Sequence, residues 1–173
     1  AEGKVISGGA CAGNRSNCYI AAHDAVTGKE LWRFYTTPAA GEPGDESWNG
    51  APVEKRMAST WGMPGAYDAA RKTLIWGIAN PMPDQRMARH GTADGTSKTA
   101  PADLYSNSTV SLDIETGKLK WYYQHLPADD WDTDHIHERT LIRARFNPDP
   151  KSVKWINPSI KKGEERDMVI AVS

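Results

Sequence analysis

The chain lacks most of the features that mark nucleic-acid-binding, membrane-spanning or zinc-stapled proteins. Its 21 Lys and Arg nearly balance 22 Asp and Glu, leaving a net charge of −1. No basic field therefore invites nucleic acid. No apolar run approaches the ~18 residues of a membrane span, and no signal-peptide pattern opens the chain. Cysteine is limited to Cys11 and Cys18, with no second pair to complete a metal site. The residues between them are loop formers, so the sulfurs could meet around a tight loop. A disulfide there would add roughly 2–3 kcal/mol and point to an oxidising compartment; two free thiols are the alternative. Acid is also missing locally, for no Asp or Glu lies between Glu2 and Asp24.

What is present is a repeat. Trp32, Trp76 and Trp121 each stand eight residues after an aspartate, Asp24, Asp68 and Asp113, and the aspartates are 44 and 45 residues apart. The first and third copies, HDAVTGKELW and LDIETGKLKW, are nearly the same text; the middle one, YDAARKTLIW, loses the Thr-Gly. Asp captures nearby backbone donors and Gly supplies positive φ, so the stretch after each aspartate reads as a tight turn. Before it lie short apolar strands (Tyr19–Ala22, Gly65–Tyr67, Thr109–Leu112). After it come strands rich in aromatic and β-branched residues at 30–36, 73–79 and 119–125. Each copy therefore predicts an antiparallel hairpin whose tryptophan packs one sheet against the next. A period of about 45 residues is in the range of propeller blades.

The expected fold is thus all-β, a β-propeller of tryptophan-docked four-stranded blades. At about 45 residues per blade the chain holds three to four blades, against the roughly four to eight that close a propeller. Strand-like text at both ends, Lys4–Ser7 and Asp167–Ser173, suggests one partial propeller domain over 1–173. It would be an interior segment of a longer propeller or one chain of an assembled one, and the remainder of the propeller is an expected partner. Three stretches, 42–56, 82–103 and 147–165, read as long excursion loops, the kind that often carry function.

The motifs resemble those of the quinoprotein alcohol dehydrogenases, eight-bladed periplasmic propellers that hold pyrroloquinoline quinone (PQQ) and a metal. The resemblance spans about Gly3 to Ile142. It rests on Tyr19, Ala21, Asp24, Thr27-Gly28 and Trp32-Arg33, on Trp61 ahead of Tyr67-Asp68, on Gly77-Ile78-Ala79-Asn80-Pro81, and on Pro127 with Asp129-Asp130-Trp131-Asp132. It implies that Trp61 forms the floor under the quinone, with backbone at Gly9 and Ala10 approaching the cofactor. It makes Asn80 an amide ligand to a hard cation such as calcium. It makes Asp132 both a metal neighbour and the general base that takes the alcohol proton, while the metal polarises the quinone carbonyl.

Asp134, two residues after Asp132, matches the extra aspartate of lanthanide-using members. If the segment is a strand, the two carboxylates face the same way. His135 and His137 with Glu138 offer a zinc pair that lacks a third ligand. The chain departs from the family in one respect: where a glutamate metal ligand is expected, it has Ala10 or Cys11. Either Asp134 compensates or the metal site differs. Two function classes follow. One is a segment of a PQQ-dependent alcohol dehydrogenase oxidising an alcohol to an aldehyde or ketone, with calcium or a lanthanide ion, in the periplasm, and passing electrons to a cytochrome c-type acceptor. The other is a non-catalytic propeller with similar repeats, acting as a periplasmic scaffold.

Overall fold

A computed structural model describes residues 1–11, 13–95 and 99–172. In chain order the strands are β1 (Lys4–Gly8), β2 (Tyr19–Asp24), β3 (Glu30–Tyr35), β4 (Met57–Ala58), β5 (Ala66–Asp68), β6 (Thr73–Ile78) and β7 (Pro81–Met82). A one-turn helix, α1 (Arg86–His90), precedes β8 (Ser108–Asp113), β9 (Leu119–Gln124), β10 (Thr140–Arg145) and β11 (Glu165–Ile170). All pairing is antiparallel: a three-stranded sheet β1-β2-β3, a four-stranded sheet β5-β6-β8-β9, and the pairs β4-β7 and β10-β11. Three blades are represented, the middle one with all four strands.

The aspartate turns form as the sequence requires. Asp24 Oδ1 accepts from the amides of Val26 and Thr27 and from the Thr27 hydroxyl. Asp113 Oδ1 does the same with Glu115 and Thr116. These bonds hold both carboxyls below the ordinary carboxylate range. Gly28 and Gly117 follow at φ +71° and +69°. In the middle copy Lys72 takes that conformation at φ +50° and Asp68 pairs with Arg71 instead.

The three copies are not three blades. The second and third share one sheet, with β6 paired directly to β8. The first and third are the equivalent ones: each hairpin has a register shift at the same point, Ala22/His23 and Ser111/Leu112, and each tryptophan lies opposite the residue before it, Trp32 on Ala22 and Trp121 on Ser111. Trp76 instead sits on the wholly buried strand β6. The missing Thr-Gly goes with this difference: the middle copy forms the first hairpin of a blade, and the third copy forms the second hairpin of the same blade.

Trp32 joins the first two blades. Its indole N–H donates to the Ile114 carbonyl at 2.9 Å, and a Cβ on Gly117 would come within 2.5 Å of its ring. Around it Ile20, Ala22, Leu74, Trp76, Val110 and Leu112 form one core between the two sheets. The tight turns all lie at one end of the sheets. The connections 9–18, 36–65, 79–107 and 125–139 lie at the other end, where β1, β3, β6 and β9 finish, whereas the long 146–164 connection joins β10 to β11 within one hairpin.

Candidate functional site

Every residue singled out for cofactor or metal falls in those long connections. Cys11 and Cys18 form a disulfide across the first of them, with Cα atoms 4.2 Å apart. The Gly9 amide donates to the Tyr19 carbonyl, and its carbonyl accepts from the Thr60 hydroxyl at 3.0 Å. Side chains would not fit here: a Cβ on Gly8 would strike Thr60 Oγ1 and one on Gly9 the Asn17 carbonyl, each at 2.1 Å. Gly9 is buried and Ala10 exposed.

Trp61 follows Thr60 at φ +48°, its amide bonded to Ser59 Oγ at 2.8 Å. Its side chain is not a core residue, for it is 47% exposed. Such exposure is more than a core tryptophan between blades would show. The indole N–H donates to Asp134 Oδ1 at 3.2 Å.

Asn80 is brought beside this loop by the short β4-β7 ladder, which gave no periodic signal in the sequence, and by the Ala79 amide donating to the Ser59 carbonyl at 2.8 Å. Asn80 is 1% exposed. Its amide nitrogen donates to Pro81 O at 3.3 Å, but its Oδ1 is buried and unpartnered. A buried acceptor left without a donor costs about 1–3 kcal/mol, and a hard cation would satisfy it.

The 129–134 segment is not a strand. Asp129, 1% exposed, accepts from the Trp131 and Thr133 amides, both at 2.8 Å, and from Asn107 Nδ2 at 3.0 Å. Those bonds curl the chain and place Asp132 at φ +59°, exposed to solvent. The alternation that would put Asp132 and Asp134 on one strand face therefore does not apply. Asp134 is half-buried and reaches Trp61. Among the described residues no group of three His, Cys, Asp or Glu is placed to hold a metal. Of the zinc pair, His137 is exposed while His135 is buried and stacks on His125, ring centroids 4.9 Å apart.

Two features escaped the sequence reading. Arg139, 2% exposed, donates to Thr109 Oγ1 at 2.9 Å and to the carbonyls of His135 and His137, with no carboxylate partner among the described residues. Burial pushes its pKa down. The 82–103 excursion is not a plain loop, because α1 stands in it. Arg89, Asp103 and His90 there form a solvent-excluded cluster with pair distances of 3.1 and 2.7 Å. The paired Arg86 and Arg89, one helical turn apart, were the only sign of it in the sequence.

The fold agrees with known proteins. The model of the glucose/ethanol/alcohol dehydrogenase β-propeller domain, the PQQ type, matches residues 1–164. The chain belongs to this family. A quinohemoprotein alcohol dehydrogenase of Comamonas testosteroni is 32% identical over 171 residues, covering 88% of this chain and 22% of that protein. A lanthanide-dependent methanol dehydrogenase of Methylorubrum extorquens is 28% identical over 75% of this chain and 23% of its own length. The solved quinohemoprotein alcohol dehydrogenase ADHIIG of Pseudomonas putida superposes with a TM-score of 0.71 at 23% identity, over 99% of this chain and 23% of that one, which supports the propeller fold. The chain thus spans under a quarter of the length of these relatives. No helix among the described residues is long and apolar enough to cross a membrane.

Proposed function

We propose that this chain is part of a PQQ-dependent alcohol dehydrogenase that oxidises an alcohol to an aldehyde or ketone. The observation that carries the proposal is Asn80 Oδ1, a buried oxygen with no partner, next to a connection that presents the half-exposed ring of Trp61. Both suit a cation and a flat cofactor.

In this reading Trp61 supplies the stacking surface and excludes water from one face of the quinone, with Asp134 fixing its ring by the indole bond. The Gly9 and Ala10 backbone lies along the same connection end. Asn80 gives a neutral oxygen to the ion, while Asp132 and Asp134 give charge. Bound PQQ would accept the hydride, aided by a metal that draws electron density from its carbonyl. Asp132 takes the hydroxyl proton of the alcohol as general base. Its exposure and freedom from hydrogen bonds among the described residues leave it available for that task. Calcium and a lanthanide remain the two candidate ions, and the carboxylate of Asp134 favours the trivalent one. The Cys11–Cys18 disulfide supports an oxidising compartment, the periplasm. A cytochrome c-type protein or domain is the proposed electron acceptor.

The test is dye-coupled alcohol oxidation by the full-length protein supplied with PQQ and either calcium or lanthanum. Activity that needs PQQ and one of the ions is the expected result. No dye reduction over a broad alcohol panel, with no quinone retained, would move the protein to the scaffold class.

A further inference from the structure

The loop that carries Asp132 is held from outside by α1. The Arg86 amide donates to Asp130 Oδ1 and its Nε to Asp130 Oδ2, both at 2.7 Å. Arg89 donates to the Asp129 carbonyl at 2.9 Å and stands 3.7 Å from Asp130. Arg89 is itself fixed: its side chain is 1% exposed, it bonds to the carbonyls of Pro83 and Asp84, and it pairs with the fully buried Asp103. Within the loop, Asp129 turns this outside hold into backbone geometry by capturing the amides of Trp131 and Thr133, on either side of Asp132. Two charge-assisted bonds to one carboxylate fix both distance and orientation.

We propose that Arg86 and Arg89 are positioning residues for the alcohol-oxidising reaction, clamping Asp129-Asp130 so that Asp132 is presented in its left-handed conformation. α1 then acts as a brace for the base. This rests on the dehydrogenase reading above. A base displaced by even 1 Å loses rate without necessarily losing substrate, so the signature of the clamp is in kcat more than in KM.

Arg86 and Asp130 are the pair to change, because their side chains retain 13% and 22% exposure and their loss is less disruptive than emptying the Arg89–Asp103 cluster. In the full-length holoenzyme, Arg86→Met and Asp130→Asn should each lower kcat about tenfold with KM within about twofold. The double variant should be no worse than the poorer single one, as expected for two ends of one contact. Arg86→Lys, which keeps the charge but not the fork, should recover only part of the rate. Amide hydrogen exchange, read on protein without quinone or metal, should speed up about tenfold at Trp131 and Thr133 in both single variants, with β6 and β8 unchanged. Unchanged exchange at those two amides overturns the clamp. Faster exchange with undiminished kcat overturns its role in the reaction. A wild-type protein that retains no quinone and oxidises no alcohol removes the dehydrogenase reading instead, an outcome distinct from a failed clamp because the exchange data still decide the contact.

Discussion

The indole N–H of Trp61 donates to the carboxylate of Asp134, 73 residues further along the chain, at 3.2 Å. One contact thus links the proposed cofactor platform to the proposed extra metal ligand. Asp134 Oδ2 remains for an ion while Oδ1 orients the ring. Asp134→Ala should therefore weaken lanthanum binding more than calcium binding, by at least about tenfold, and should also loosen the quinone. Metal titration of the reconstituted full-length protein, followed by quinone absorbance, reads both effects. Equal loss for the two ions would leave Asp134 only the ring-orienting role.

Asn80 allows structure and function to be pulled apart. Its unpartnered Oδ1 is a cost to the metal-free fold. Asn80→Leu should leave the thermal stability of metal-free protein unchanged or raise it by about 1 kcal/mol, while abolishing stabilisation by added calcium or lanthanum. A large drop in metal-free stability would show instead that the amide is a packing residue.

Trp32 is the opposite case, a residue whose work is entirely structural. Trp32→Ala removes the bond to Ile114 and the face that covers Gly117, and should cost about 3–5 kcal/mol in denaturant unfolding. Gly117→Ala should also destabilise, since its Cβ would enter the ring and its φ is +69°.

Acid sensitivity should trace in part to His125. Burial, then the neighbouring His135 and Arg139, lower its pKa from 6.5 to about 4. The folded state thus refuses a proton that the unfolded chain accepts between those values. Stability is full above about pH 6.5 and falls as pH drops toward 4. Thermal denaturation of His125→Gln across that window should show a shallower decline than wild type; a parallel decline would assign the acid sensitivity elsewhere.

The disulfide closes a short connection next to Gly9. Replacing both Cys11 and Cys18 by serine should lower stability by roughly 2–3 kcal/mol, as should reduction, measured by unfolding with and without a thiol reductant.

Local chemistry was legible where one turn or one strand decides the outcome. The aspartate turns, the strands around them and the disulfide all follow from neighbours within a few residues. The excursions were less legible, because nothing periodic marks β4, β7 or α1. The 129–134 segment misled for a related reason: alternating Asp132 and Asp134 look like a strand, but Asp129 reaches forward to the backbone and bends it.

By itself the sequence determined the hairpins, the docking of Trp32 between the first two blades and the membership of a propeller family, since these depend on short-range hydrogen bonding and on burial of a large side chain; Trp121, expected to dock in the same way, is 42% exposed. Only the tertiary structure decided that the second and third copies share one sheet, and that Gly9, Trp61, Asn80 and Asp134 meet through Thr60, Ser59 and the β4-β7 ladder. Those contacts join residues far apart in the chain, and their geometry is set by how sheets stack and long connections cross. No local pattern encodes that.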